Sequence, residues 1–257
     1  MLVTAEQREH FAREGYLIFD PELSSDLLDG IVADLNGKYD ESGPPLNVTY
    51  RDHTRIQDAW RINALVKSIA LAPKTLSLLQ GLYGRKPLPF QTLNFPKGTE
   101  QPAHADAIHF NSVPPTFACG VWVALEDVDM NNGPLTYYPG SHKLPEITIA
   151  DLETFRQRIK LRLLRRPVKK SDFYPIYERF IARVIERQQL HPSFATIKKG
   201  QALVWAANLL HGGAVQLDKS RSRHSQVTHY FFEDCRYYTP ILSRGAAISW
   251  RRPEWIE

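Results

Sequence analysis

The chain has 257 residues, 32 basic against 28 acidic side chains and a 43% hydrophobic composition, which fits one large globular domain with a sizeable core. No apolar run approaches the roughly 18 residues of a membrane-spanning helix, the first ten residues lack the apolar stretch of a secretory signal, and two cysteines are too few for a disulfide framework. The net charge of +4 is local: Arg156 to Lys170 carries eight bases and no acid, leaving 24 bases against 28 acids elsewhere, so composition speaks against a nucleic-acid-binding body.

These bounds predict a single domain over residues 1–257, in reducing cytoplasm, with Cys119 and Cys235 as small buried hydrophobes. Thr4-Ala-Glu-Gln7 matches a capping box and opens a short helix that ends at Gly15. Tyr16–Phe19 reads as a buried strand. Ser24 or Ser25 starts a second helix with Leu27, Leu28, Ile31 and Leu35 at helical spacing. Residues 38–55 dissolve into Gly, Pro, Asn and Asp, the composition of a loop. Further helices are predicted from Gln57 to Ala70 and from Pro73 to Leu82, with Pro73 in the first turn.

After Gly84 the pattern becomes β-rich. The runs 90–95, 117–125, 135–138, 201–205 and 226–232 are short and bounded by turn residues. Evenly spaced short strands indicate a sandwich or barrel, and two sheets in jelly-roll order fit. Helices in front and strands behind make an α+β, mainly β chain, with the helices packed on one outer face. Residues 144–194 interrupt the strands with helical periodicity, as Leu152, Phe155, Ile159 and Leu163 and then Tyr177, Phe180, Ile181 and Val184 show. An insertion of that length near a barrel mouth reads as a lid or substrate element.

Within this frame, Gln101-Pro-Ala-His104-Ala-Asp106 is answered much later by Leu-Leu-His211-Gly-Gly. In a strand, residues i and i+2 share a face, so His104 and Asp106 are expected to point at one object. Two imidazoles and one carboxylate form the facial triad of non-haem Fe(II) oxygenases. Gly212 and Gly213 permit close backbone approach beside His211, and a neutral imidazole requirement predicts weaker metal binding below about pH 6. His109 is a weaker rival for the first position, because no carboxylate follows it at i+2. Asp106 argues against a halogenase, in which a small residue replaces the carboxylate.

The ordered run of His104-Ala-Asp106, Trp122-Val-Ala-Leu-Glu-Asp, Asn132-Gly-Pro-Leu-Thr-Tyr-Tyr-Pro-Gly-Ser-His142, Leu-Leu-His211-Gly-Gly and Arg223 resembles the phytanoyl-CoA dioxygenase family. The resemblance implies a double-stranded β-helix of the cupin-like kind, Fe(II) as the metal, and 2-oxoglutarate and O2 as cosubstrates. It aligns His104, Asp106 and His211 with the iron ligands, Arg223 with the arginine that grips the cosubstrate, and Trp122 with an aromatic lining that pocket. Nothing in the sequence specifies a CoA thioester.

A guanidinium matches a carboxylate as a two-pronged fork; the resemblance favours Arg223, which precedes its strand at the spacing the family shows, over its rivals Arg221, read as a solvated loop residue, and Arg251. Ser225, two residues on, shares its face; Gln91, Asn94 and Thr136 are strand residues weighed as pocket lining. Pro139-Gly-Ser-His142 reads as a turn, with His142 left off the metal. The basic run reads as a solvated helix face or as a clamp for an anionic small-molecule substrate. The expected reaction is hydroxylation of an unactivated C–H coupled to decarboxylation of 2-oxoglutarate to succinate and CO2. The alternatives are a non-catalytic cupin-like binding protein and a Zn-dependent isomerase or hydrolase on the same three residues.

Overall fold

Strand residues alternate between two faces, and the longest strands of this chain present two different apolar sets. In the computed structural model, which describes residues 3–158, 173–243 and 247–257, the strands are β1 (Tyr16–Phe19), β2 (Tyr50–Arg51), β3 (Ile56–Gln57), β4 (Pro87–Phe95), β5 (Asn111–Val113), β6 (Ala118–Ala124), β7 (Leu135–Tyr137), β8 (Ser193–Phe194), β9 (Ala202–Ala206), β10 (His211–Gly213), β11 (Ser225–Phe232), β12 (Arg236–Tyr238) and β13 (Trp250–Arg251). A seven-stranded sheet has the order β1-β9-β6-β11-β4-β3-β2, and two three-stranded sheets are ordered β10-β7-β8 and β13-β12-β5. All pairings are antiparallel. Together they make the jelly roll.

Helices α1 (Ala5–Glu14), α2 (Ser25–Leu35), α3 (Ala64–Ala70) and α4 (Pro73–Tyr83) belong to the front of the chain. Leu28, Ile31, Val66, Ile69 and Leu79 of the last three bury against Val121, Val123, Val204, Tyr230 and Phe232 on the outer face of the large sheet. The inner face presents Trp122, Leu203, Trp205 and Val227 instead, packed on Leu135, Tyr137 and Leu209. Among the described residues no helix is long and apolar enough to cross a membrane.

Local chemistry accounts for the element ends. Thr4 and Gln7 form the capping box of α1, and Gly15 closes it in the left-handed region at φ 81°. Ser24 caps α2 by accepting from the Leu27 amide. The helix predicted from Gln57 begins only at Ala64. Asp58 sits in the left-handed region at φ 63°, where its carboxylate accepts from the Thr92 amide and the Thr49 hydroxyl. That turns the chain after β3, and Asn63 caps α3 by accepting from the Val66 amide. The predicted loop at 38–55 also contains β2, half of a hairpin closed by Asp52, which accepts from the Thr54 and Arg55 amides.

The insertion contains α5 (Ile149–Arg158) and α6 (Phe173–Arg187), between β7 and β8. Leu152, Phe173, Ile176, Tyr177 and Ile181 bury against Ala105, Ile108 and Leu210. The basic residues from Lys160 to Lys170 lie outside the described residues. Both cysteines are free. Cys119 is buried as expected, whereas Cys235 is half-buried in a turn, its sulfur within 3.2 Å of Arg85 Nη1.

Candidate metal and cosubstrate site

His104 and His211 are brought together by the backbone before their side chains meet. Each donates its amide to the other's carbonyl at 2.8 Å, forming an isolated antiparallel bridge, and the two rings lie 4.5 Å apart between centroids. The glycines after His211 make this approach possible. A Cβ at Gly212 would stand 2.6 Å from the Gln101 carbonyl oxygen, and one at Gly213 would stand 2.8 Å from the Glu100 nitrogen. Asp106 reaches the same point by a different route from the expected strand. Ala105 is extended, and Asp106 opens a single 3-10 turn, Asp106–Ile108. The bridge and turn together still put both side chains on one side.

His104, Asp106 and His211 are all buried, and they offer ligand atoms within 4.8 Å of one another. His104 Nε2 lies 3.7 Å from Asp106 Oδ1, and His211 Nε2 lies 3.7 Å from Asp106 Oδ2. Two ligands about 2.1 Å from one ion stand at most ~4.2 Å apart, so these spacings fit a single metal. The tautomers fit as well. Nδ1 of His104 donates to the Pro102 carbonyl and Nδ1 of His211 to the Leu209 carbonyl, both at 3.0 Å, which leaves each Nε2 lone pair aimed inward. Burial, helped by His211, lowers the His104 pKa to about 4. The expected weakening of metal binding below about pH 6 therefore moves to stronger acid for this ligand. Burial alone would raise the Asp106 pKa, but His211, His229 and His104 outweigh it and hold the carboxyl far below the ordinary range.

Two residues that the motif reading passes over hold Asp106 in place. Trp205 Nε1 donates to its Oδ2 at 2.8 Å, and His229 Nε2 donates to the same oxygen at 3.2 Å. His229 was within reach of sequence reasoning. It lies six residues after Arg223, with Ser225 and Val227 between, so all four share one strand face. Trp205 is opposite Gly120 on β6, and a Cβ there would come within 2.3 Å of its ring.

Arg223 lies on the same strand face as His229. It is 4% exposed, its Nη1 donates to Ser225 Oγ at 2.7 Å, and its guanidinium lies 5.4 Å above the Trp122 ring. Its Nε is buried without a hydrogen-bond partner, and among the described residues no carboxylate forms an ion pair with it. Burial lowers its pKa to about 10, so it stays a cation at neutral pH. A buried guanidinium with no carboxylate in ion-pair contact is costly, and its planar fork suits a carboxylate. Its contacts lie at the Ser225 and Val227 levels of β11. His229, beside Asp106, is two to four residues further along, about 7–13 Å at strand rise. Trp122, Val227 and Leu203 belong to the apolar cluster on this face.

The rival arginines have other partners. Arg221 pairs with Asp129 at 2.8 and 3.0 Å on the surface, and Arg251 lies over Phe90 and Phe110 while donating to the His109 carbonyl and Thr239. Gln91 is paired with His229 and faces the interior. Asn94 does not: it bonds Gln226, whose amide donates to the Val66 carbonyl of α3 on the helix-covered face. Thr136 is also turned away, because its neighbour Tyr137 is the residue opposite His211. His109 is half-buried against Tyr174, outside the metal cluster, with its pKa lowered to about 4 by burial. His142 packs beside Gly15 and donates to the Ala12 carbonyl.

The family description for phytanoyl-CoA dioxygenase (PhyH) matches residues 3–224. Phytanoyl-CoA dioxygenase domain-containing protein 1 of Danio rerio is 27% identical over 180 residues, a match covering 68% of this chain and 56% of that protein. This chain thus spans little more than half of that relative's length. Among solved structures, the non-haem α-ketoglutarate-dependent carbocyclase SnoK from nogalamycin biosynthesis superposes with a TM-score of 0.67 at 16% identity, covering 98% of this chain and 94% of that one. EctD from S. alaskensis, solved with 2-oxoglutarate and 5-hydroxyectoine, gives 0.67 at 18% identity over 98% and 85% of the two chains. The triad and the lone buried guanidinium agree with the family's requirement for Fe(II), with 2-oxoglutarate and O2 as cosubstrates. The chain belongs to the phytanoyl-CoA dioxygenase family.

Proposed function

We propose that the protein is an Fe(II)- and 2-oxoglutarate-dependent dioxygenase that hydroxylates an unactivated C–H of a small molecule, with decarboxylation of 2-oxoglutarate to succinate and CO2. The observation that carries this reading is a buried Arg223, its Nε unpartnered and no carboxylate in ion-pair contact with it among the described residues, on the same inner face as a His-Asp-His cluster. When bound, the ferrous ion supplies activation of O2 and the redox chemistry. The chain supplies the rest. His104, Asp106 and His211 hold the ion; Trp205 and His229 fix the Asp106 carboxylate; Arg223, with Ser225 beside it, grips the far carboxylate of the cosubstrate over Trp122.

The insertion belongs to this reading as a cover that excludes water from the site. Two contacts support it: Tyr177 accepts from the Ala105 amide at 2.7 Å, and Gln101 donates to the Tyr174 hydroxyl at 3.1 Å. An anionic substrate is supported by Arg55. This arginine alternates with the helix-facing Ile56, lies 5.4 Å above the Tyr50 ring, and keeps a buried Nε without a partner. A carbocyclase of the same fold makes ring closure a second outcome to test on this site.

Succinate release from 2-oxoglutarate, measured with and without Fe(II) across a panel of acidic and neutral metabolites, tests the proposal. Iron-dependent succinate that rises with one panel member supports it, and a product 16 mass units heavier identifies hydroxylation. Asp106→Ala is expected to abolish both succinate and iron retention while the chain stays folded. Succinate formation that survives Asp106→Ala rules the assignment out.

A further inference from the structure

A cavity of about 440 Å3 lies between α6 and the loop that carries Asp106, within the range of small-molecule sites. Ala105 and Ala107 line it, while Asp106 between them turns toward the imidazoles. Ile108 and Leu210 continue this wall; Tyr177, Ile181 and Val184 of α6 form the opposite one. Neither the imidazoles of the triad nor Arg223 or Trp122 lines it. The metal loop is therefore a partition, with the ion site on one side and this apolar chamber on the other.

Four of the polar side chains on its walls are already engaged. Ser141 Oγ accepts from the Leu210 amide at 2.9 Å, Asn208 donates to the His142 carbonyl at 2.6 Å, and Asn111 donates to Glu146 at 2.5 Å. The Tyr177 hydroxyl accepts from the Ala105 amide and donates to the Ala105 carbonyl at 3.3 Å. These four side chains direct hydrogen bonds to the protein itself, and the rest of the wall is mainly apolar. Among the described residues the charged side chains that line it are Glu146 and Asp151, both exposed, and carboxylates at the rim disfavour anions.

We propose that this chamber is a second binding site, separate from the ion and cosubstrate site, for a neutral apolar small molecule. Burial of apolar surface supplies the affinity, and the acidic rim selects against carboxylates and phosphates. The proposal does not depend on the catalytic reading, because neither metal nor 2-oxoglutarate takes part in the binding.

The test is titration of the protein with the neutral fluorophore N-phenyl-1-naphthylamine. Saturable one-site enhancement is expected, and the anionic dye 8-anilinonaphthalene-1-sulfonate should bind about tenfold more weakly or worse. Val184→Trp, which fills the chamber from α6, should weaken the neutral dye by about tenfold or more. Gln188→Trp, at an exposed lining position, provides a second filling variant, and the thermal midpoint of each confirms folding. Saturating 2-oxoglutarate with Mn(II), or Arg223→Ala, should leave the titration unchanged. Displacement by 2-oxoglutarate would place the dye in the catalytic cavity and overturn the proposal. So would non-saturable binding, equal affinity for the anionic dye, or indifference to both filling variants in folded protein.

Discussion

The two faces of the seven-stranded sheet use the same strands for opposite purposes. On the helix-covered face of β11, Tyr230 and Phe232 pack against α3 and α4, and the polar groups there meet backbone partners: Tyr230 donates to the Ala70 carbonyl at 2.8 Å and Gln226 to the Val66 carbonyl at 3.0 Å. One residue out of phase, Ser225 and His229 join Arg223 and Asp106, a buried cation and a buried anion with no ion pair between them. Arg223 is the costly member, since its buried charge has no ion-pair contact among the described residues, whereas Asp106 is held by Trp205 and His229. The comparison teaches that the outer face carries the inner one. It yields perturbations that should separate stability from function.

The largest expected effect lies on the outer face. Phe232 is fully buried and stacks on Tyr83 with ring centroids 4.0 Å apart. Phe232→Ala should cost about 3–5 kcal/mol of unfolding free energy, read as a shift in the urea midpoint. Mn(II) affinity of the fraction still folded should be unchanged; a selective loss of metal affinity would break the division between faces.

Arg223→Ala is expected to do the reverse. Removing one partner of a buried charge pair costs about 2–5 kcal/mol, or roughly 30- to 5,000-fold in 2-oxoglutarate affinity. The ligand-free chain should be no less stable, because an unpaired buried charge has been removed. Arg221→Ala is the control: its pair with Asp129 is exposed and screened by solvent, so its loss should have little effect. An unchanged 2-oxoglutarate requirement in Arg223→Ala, with a raised one in Arg221→Ala, would transfer the role.

A smaller effect tests whether the insertion supports the inner face. Tyr177 of α6 is 1% exposed and holds the backbone of Ala105, the residue between His104 and Asp106. Tyr177→Phe keeps the ring and removes the clamp. Loss of a group that orients metal ligands costs about 10–100-fold in metal affinity, and about tenfold is expected for one acting through the backbone. Mn(II) titration followed by equilibrium dialysis reads it, and an unchanged affinity would make the contact purely structural.

How far the sequence is legible follows from what each element depends on. Helix α1 and strand β1 are readable because the capping box, Gly15 and the apolar run are local. The triad is readable because His-x-Asp and His-Gly-Gly each carry their own backbone logic, even though Asp106 arrives by a 3-10 turn. The onset of α3 is not, since Asp58 is held by Thr49 and Thr92 from other segments. Asn94 and Thr136 fail for a related reason: strand period fixes which residues share a face, but the cavity side is set by register with β11 and β10. Tyr177 is the least legible, because nothing near it in sequence announces that its hydroxyl meets Ala105, 72 residues away.

The smallest effect, in free energy per step, is a pH dependence that belongs to the inner face and its rim. Burial lowers the pKa of both His104 and His109 to about 4 in the folded chain, against about 6.5 unfolded. Between those values the unfolded chain binds protons that the folded chain refuses, so stability falls as pH drops from 6.5 toward 4 and is flat above 7. Each group contributes at most about 1.4 kcal/mol per pH unit in that window. Asp106 has the opposite arrangement: its contribution is complete above the unfolded carboxylate value near 4 and fades only in stronger acid. Urea midpoints of metal-free protein between pH 8 and 4.5 should therefore be level and then decline. His109→Gln should remove about half of the slope while leaving Mn(II) binding intact, because His109 lies outside the metal cluster. A flat profile down to pH 4.5 would mean that His104 takes up a proton without unfolding, and would place it in a wetter site than the one described.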